Sequence, residues 1–357
     1  MVHTRNVPVS VSMAAPDCRQ LPELTEANPP VSVIIPVSRP EQAGPTLASL
    51  LRQRYGGEME IIVAGPAASD LARHWPVVPV TYTRTARDPH EAETSGTVFF
   101  GDGHVISQAR NLAALRARGA VLLFLDDDCI VAEDWVERNV RALQEPGIGA
   151  VGARVRSPAL AAQPATSGRW RVRTRTFFAR CTDFTNFGYY QHGHRMDQPV
   201  AGASMGVLRT AFAAVGGFDI SLCTSEDMDL SFRLQKHGYR TVYCPDIVVW
   251  HDHHRDTLGK FLHYNYTRGL AAGLTTKIAH RDRGLKNRLL SSVRFPPLFL
   301  LLLPFIATAA TASIVALNLG ENWDVLLYAP FILLGKLTYE FAVFRQLIAP
   351  VSAKEES

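Results

Sequence analysis

Cysteine is scarce and poorly placed for cross-linking: five residues, Cys18, Cys129, Cys181, Cys223 and Cys244, in a chain of 357, with no CxxC pair. An odd count at wide spacing excludes a disulfide framework and a zinc knuckle, and fits reduced thiols in a cytosolic domain. The opening stretch, MVHTRNVPVSVSMAAPDCRQLPELTEANPP, lacks the apolar core of a secretory signal. Residues 1–28 read instead as a flexible, proline-containing lead-in. No internal repeat and no low-complexity tract occurs, so repeat arrays drop out as well. With 47% hydrophobic and 20% charged residues, the composition is that of an ordinary globular chain.

Charge is where the sequence is uneven. Between Arg255 and Arg294 there are nine Lys or Arg against two Asp, and Pro146 to Thr182 holds seven arginines and no acid. Such stretches imply anionic partners (lipid, pyrophosphate or nucleic acid) or, for the second, solvated loops. Next to the first, Phe295 to Gly320 contains no charged residue at all. That covers the roughly 20 apolar residues a membrane-spanning helix needs. A second apolar run from Val325 continues past Lys336 and Glu340, which can pair on one helix face, to about Pro350. It reads as a second span or as an interfacial helix. The connector NLGENWD is acidic while the segment before the first span is basic. The positive-inside rule then puts the large domain in the cytoplasm and the connector across the membrane. The expected division is a catalytic domain over 29–255, a basic juxtamembrane segment over 256–294, and one or two transmembrane or membrane-associated helices over 295–350.

Within the large domain, strand and helix signals alternate. VSVIIPV (31–37), EIIVAG (60–65), AVLLFL (120–125) and IGAVGARV (148–155) read as buried strands. TLASLLRQRY (46–55), SQARNLAALRARG (107–119) and AEDWVERNVRALQE (132–145) read as helices between them. The pattern predicts an α/β fold on a parallel sheet, with ligands bound beyond the carboxyl ends of the strands.

Three motifs carry chemistry. Asp126, Asp127 and Asp128 follow directly on the strand LLFL. Adjacent carboxylates at a buried strand end repel one another unless a cation is present, and a hard divalent ion also accepts nucleotide phosphates. Alternation along an extended chain sends Asp126 and Asp128 to the metal–nucleotide side and leaves Asp127 supporting. The second motif, SEDMDLSFRLQKHGY (225–239), sets Glu226, Asp227 and Asp229 where a helix begins. Acids there complement the helix dipole, and one of them, Asp227 with Glu226 as alternate, is placed to take a proton from an acceptor hydroxyl. The third, WHDHH (250–254), ends a strand and offers His251 to complete the coordination shell, with His253 and His254 as solvent or substrate contacts.

Taken in order, VSVIIPV, ARN (109–111), FLDDD (124–128), GAS…VGGFD (202–219), SEDMDLSFRLQKHGY and VVWH resemble the family-2 inverting glycosyltransferases with the GT-A fold, over residues 31–255. The resemblance implies a nucleotide-diphosphate sugar held at Pro36 and Val37 and near Arg110, with Asp126 and Asp127 also on the donor side. It implies Mn2+ or Mg2+ on Asp126, Asp128 and His251, acting as a Lewis acid on the departing diphosphate. It makes Asp227 the base, with Glu226 beside it, and Gly202, Ala203 and Ser204 the acceptor-side loop. The implied enzyme sits at the cell membrane, its catalytic domain on the cytoplasmic side, and takes a saccharide or lipid-linked acceptor. Membrane lipid is a further partner, and no nucleic acid is expected.

Two departures qualify this. Where the family often has an Asp after its second strand, this chain has Ala64-Gly65-Pro66, so the nucleobase is not specified. There is no QxxRW; HYNYTRGLAAG (263–273) stands in that region, which points to a single transfer rather than processive polymerisation. Tyr264, Tyr266 and Arg268 there either contact acceptor or diphosphate or bridge to the membrane. RWRVRTRTFFARCTDFTNFGYY, inside the insert 157–198, reads as a strand or lid that grips an anionic acceptor, or as a basic surface loop near lipid. The competing functions are a nucleotidyltransferase and a catalytically inactive membrane scaffold.

Overall fold

The computed structural model describes residues 24–37, 40–65, 68–80, 105–157, 170–222, 224–283 and 296–349. Within these, nine strands form one sheet: β1 (Val31–Pro36), β2 (Met59–Ala64), β3 (Val78–Val80), β4 (Val121–Leu125), β5 (Cys129–Val131), β6 (Ile148–Arg156), β7 (Met196–Asp197), β8 (Ser204–Leu208) and β9 (Arg240–His251). The described helices are α1 (Gly44–Leu50), α2 (Ala68–Ala72), α3 (Val105–Arg116), α4 (Trp135–Leu143), α5 (Trp170–Phe187), α6 (Arg209–Ala214), α7 (Glu226–Lys236), α8 (Leu258–Arg283), α9 (Pro296–Asn318) and α10 (Val325–Ile348).

Every residue of β1 and β4 is buried, as expected of strands covered on both faces. Even Ser32 is accommodated, donating to Glu60 at 2.6 Å and accepting from the Gly119 N–H at 2.8 Å. On α4 the buried positions Trp135, Val136, Asn139, Val140 and Leu143 fall at helical spacing and cover the sheet.

The strand order is β3-β2-β1-β4-β8-β6-β9-β5, with β7 also on β9. β1, β2 and β4 are parallel, as the alternation predicted, and β3, which the sequence reading did not include, joins them in the same direction. The other half differs, because β8 enters antiparallel to both β4 and β6. That inversion sets the start of β8 against the end of β4, with Ser204 paired to Leu125. A loop that precedes β8 therefore meets a motif that follows β4 at the same lip of the sheet.

The insert holds neither a strand nor a loop at 170–187 but the helix α5. Its Arg alternation mimics a strand, yet the backbone is helical and burial runs without a break from Ala179 to Thr185. Phe177 and Phe178 pack on Tyr328 and Phe331 of α10, a partner the local sequence could not announce. The grip expected of the arginines at 169–175 falls on side chains outside the described residues, as does most of the N-terminal lead-in.

α9 and α10, of 23 and 24 residues, are long and apolar enough to cross a membrane. Their connector, expected across the membrane from the large domain, is instead tied to it: Glu321 pairs with Arg154 at 3.0 Å and Arg180 donates to Asn322 at 3.0 Å. The placement of the connector across the membrane failed because it weighs loop charge alone, and Glu321 and Asp324 meet arginines on the sheet and on α5.

Candidate active site

At the carboxyl end of β4 the chain turns at once. The Asp126 N–H donates to the Ala203 carbonyl, and the Cys129 N–H closes on the Asp126 carbonyl, both at 3.2 Å. Thr46 Oγ1 donates to the Asp127 carbonyl at 2.8 Å. Alternation therefore does not hold across 126–128, since it belongs to extended backbone. Asp126, Asp127 and Asp128 all line one cleft of about 350 Å³. Pro36, Val37, Arg110, Gly202, Ala203, Glu226, Asp227 and His251 line it too, so the expected residues converge with one exception. Ser204 stands behind the lip, buried, accepting from Trp135 Nε1–H at 3.2 Å.

Arg110, on α3, is 2% exposed and joins the two acidic motifs. One guanidinium nitrogen donates to Asp126 Oδ1 at 2.8 Å and to the Gly202 carbonyl at 2.9 Å; the other donates to Glu226 Oε1 at 3.0 Å. The geometry is that of an internal counter-ion in the cleft wall. Burial pushes the Asp126 carboxyl up, and Arg110 opposes the rise. Burial, then the neighbouring Asp227, raises Glu226, again against Arg110.

Asp227 is held differently, with no cation on either oxygen among the described bonds. Oδ2 accepts the Gly202 N–H at 2.7 Å and Oδ1 the Met228 N–H at 2.8 Å. Gly202 permits this approach, because a Cβ there would lie 3.1 Å from the Arg110 guanidinium and 3.3 Å from Asp227 Oδ2. Ser225, just before α7, has φ 64, a left-handed backbone that a non-glycine residue adopts at a cost, and it brings the first turn of α7 to the cleft. Asp229 turns away to Arg233 at 2.7 Å and serves the helix.

His251, the last residue of β9, lies opposite Cys129 of β5. Its Nε2 is 3.0 Å from Asp128 Oδ1, and the Asp252 N–H donates to the Asp128 carbonyl at 2.8 Å, so strand pairing fixes both side chains together. Nδ1 of His251 is buried without a partner. Ligand atoms of Asp128, Cys129 and His251 fall within 4.8 Å of one another. This oxygen and nitrogen pair suits Mn2+ or Mg2+ with phosphate oxygens completing the shell. Burial raises the Cys129 thiol well above its ordinary value, with Asp126 and Asp128 adding to the rise, so the sulfur is the weakest of the three donors.

His253 is not a solvent contact. Buried on leaving the strand, it sits 3.3 Å from Asp183 of α5, and burial lowers its pKa against the pull of that carboxylate. His254 is exposed. The sequence also left out Cys129, Ile106, Phe187, Thr224 and Arg255 of the site. Arg255, just before α8, stacks over Tyr264, 3.4 Å from the ring centre, and with Arg268 of α8 forms a cationic rim. Cys129 adjoins the aspartates in sequence, but only its pairing with His251 marks it.

A family model described as glycosyltransferase like family 2 matches residues 29–269. An uncharacterized protein, y4gI, of Sinorhizobium fredii is 26% identical over 236 residues, 63% of this chain and 25% of that protein. The O-antigen biosynthesis protein RfbC of Myxococcus xanthus is 27% identical over 233 residues, 60% of this chain and 16% of that protein. The chain thus spans a quarter or less of the length of these two relatives. Among solved structures, the mannosyltransferase PcManGT of Pyrobaculum calidifontis, in complex with GDP-Man and Mn2+, superposes with a TM-score of 0.53 at 18% identity, covering 93% of this chain and 92% of that one. At that identity the likeness is one of fold.

Proposed function

The chain belongs to the glycosyltransferase family 2-like proteins, and on that premise we propose that it is a metal-dependent, inverting, non-processive glycosyltransferase at the cytoplasmic membrane face. The observation that carries this reading is the convergence of Asp126–Asp128, His251 and Asp227 on one cleft at the carboxyl lip of the sheet. A nucleotide-diphosphate sugar would lie along Pro36, Val37 and the aspartates. Asp128 and His251 would hold Mn2+ or Mg2+, which when bound offsets charge on the departing diphosphate.

Asp227 is the residue for the base. Backbone N–H groups aim both of its oxygens, whereas Glu226 is committed to Arg110. In a direct displacement Asp227 takes the proton of the acceptor hydroxyl as that oxygen bonds to the anomeric carbon. The bond from that carbon to the diphosphate oxygen breaks, the electron pair leaves with the nucleoside diphosphate, and the configuration inverts. Gly202 and Ala203 border the acceptor side. Arg255, Tyr264 and Arg268 suit an acceptor that carries phosphate, such as a lipid-linked saccharide.

The test is a nucleotide-sugar panel with Mn2+ or Mg2+, read as nucleoside diphosphate release. One donor is expected to turn over, and Asp227→Asn to lower the rate ~10²–10⁴-fold with the fold retained. Folded protein that turns over no donor, or an Asp227→Asn variant as fast as its parent, would overturn the proposal.

A further inference from the structure

The turn from β9 to α8 carries Arg255 to the cleft, and a buried carboxylate holds that turn from behind. Asp183 of α5 is 0% exposed and takes no part in the cleft lining. Its Oδ2 accepts the Ser157 N–H at 3.1 Å, and its Oδ1 faces His253 Nε2 at 3.3 Å. The other ring nitrogen of His253, Nδ1, accepts the Arg255 N–H at 3.1 Å. An accepting Nδ1 carries no proton, so the ring proton sits on Nε2 and is donated to Asp183. His253 is therefore a neutral imidazole with both nitrogens engaged. It joins a carboxylate on α5 to the backbone of Arg255.

The turn needs that support. His254 has φ 51, and among the described residues only Ser225 shares a left-handed backbone without being glycine. Such a conformation persists where the surroundings enforce it. Released from Asp183, the chain at His254 would relax toward extended backbone and swing Arg255 off Tyr264. The support is itself braced. Phe184 of α5 packs on Tyr328 of α10 with ring centres 5.6 Å apart, and Arg180 stacks over Phe184 at 4.1 Å. At the front of the turn the Arg255 guanidinium lies over Tyr264 and lines the same cleft as Asp126–Asp128. Stacking occupies the face of a guanidinium and leaves its N–H edge to meet an anion.

We propose that Asp183 and His253 are positioning residues: acting through the Arg255 backbone, they set the Arg255 guanidinium in the cleft, where it binds a phosphate-bearing substrate. Neither residue touches that substrate. The inference rests on the function proposed above and adds the element that orients its cationic rim. Phosphate can enter this cleft from two sources, the diphosphate of a donor and a phosphorylated acceptor, and the guanidinium chemistry is common to both.

Calorimetry on the full chain with Mg2+ present tests this, with inorganic pyrophosphate as the probe for the diphosphate and hexyl phosphate as the probe for the acceptor. Arg255→Gln is expected to weaken one probe ~10-fold, and the probe affected identifies the source. His253→Ala should weaken the same probe to a similar extent. The double variant should lose no more than Arg255→Gln alone, because one residue acts through the other. His253→Asn, whose Oδ1 can accept the Arg255 N–H in place of Nδ1, should recover most of the affinity. If His253→Ala does not fold, Asp183→Asn carries the same comparison with Arg255→Gln, since it keeps the volume of Asp183 and removes its charge. Losses that add in the double variant, or folded His253→Ala or Asp183→Asn protein that binds both probes as the parent does, overturn the positioning role and leave the proposed function standing. A parent chain that binds neither probe, or an Arg255→Gln variant that binds both unchanged, overturns the inference together with the phosphate-binding rim.

Discussion

At the lip of the sheet, carboxylates from two motifs crowd around Arg110, a cation only 2% exposed, whereas on α9 not one charged residue occurs and Phe305 stands 69% exposed. The cleft holds an excess of negative charge compensated in part from within the chain, through hydrogen bonds of 2.8–3.0 Å. The hairpin holds an excess of apolar surface that nothing within the described residues covers. On the function proposed above, each excess is met from outside the chain, by a cation with its diphosphate in one case and by lipid in the other. They differ in directionality: hydrogen-bonded ion pairs fail abruptly when one member is removed, while apolar burial declines in proportion to area.

Removing Arg110 tests that contrast most severely. Arg110→Met would strand Asp126 and Glu226 in the cleft wall, and loss of one member of a buried pair costs about 3–5 kcal/mol. Urea unfolding should show a loss of that order, partly recovered at low pH, where the acids take up protons. A change under ~1 kcal/mol would mean the acids are solvated and the counter-ion reading is wrong.

A smaller effect concerns Glu226, whose pKa is raised from 4.5 by burial and by Asp227. Because the folded protein holds this proton more tightly than the unfolded chain, the contribution of Glu226 to stability is complete below its unfolded value. It is lost as pH rises through the raised folded value. Glu226→Gln should flatten that part of the stability–pH curve. Equal slopes for variant and parent, measured by urea titration across the carboxylate range, would refute the assignment.

The smallest effect on folding is expected on the hairpin. Leu301→Ser combined with Phe305→Ser should change the unfolding free energy in solution by less than ~0.5 kcal/mol per site, as surface positions do. The same pair should weaken vesicle binding, since each large apolar side chain contributes roughly 1.5–3 kcal/mol when buried. Strong destabilisation in the absence of lipid would place these residues in a protein interface instead.

Much of the cleft was legible because it follows strand ends. A buried apolar run that stops at acids or histidine locates Asp126–Asp128 and His251 without knowledge of neighbouring strands. Asp227 was legible as an acid at a helix start, and Gly202 and Ala203 from the ordered motifs. The inversion of β8 was not, because strand direction depends on the path of the chain between strands. Ser204, assigned to the acceptor loop, consequently falls one residue inside the sheet. That Arg110, expected on the donor side, also bridges Asp126 and Glu226 was not legible, since nothing local shows that Glu226, 116 positions away, would share its guanidinium. α5 was missed for a related reason: the surface it packs on comes from α10, where Tyr328 and Phe331 meet Phe177 and Phe178.

The sequence alone determined the parallel half of the sheet, the two acidic motifs and the apolar character of the C-terminal helices, because each depends on neighbours a few residues apart. How Arg110 divides Asp126 and Glu226 from Asp227, where His253 goes, and what the hairpin connector packs against were decided only by tertiary structure. Those outcomes depend on Arg110, Asp183 and Arg154 arriving from distant segments, and burial makes such encounters decisive by charging a penalty for every polar group left unpaired.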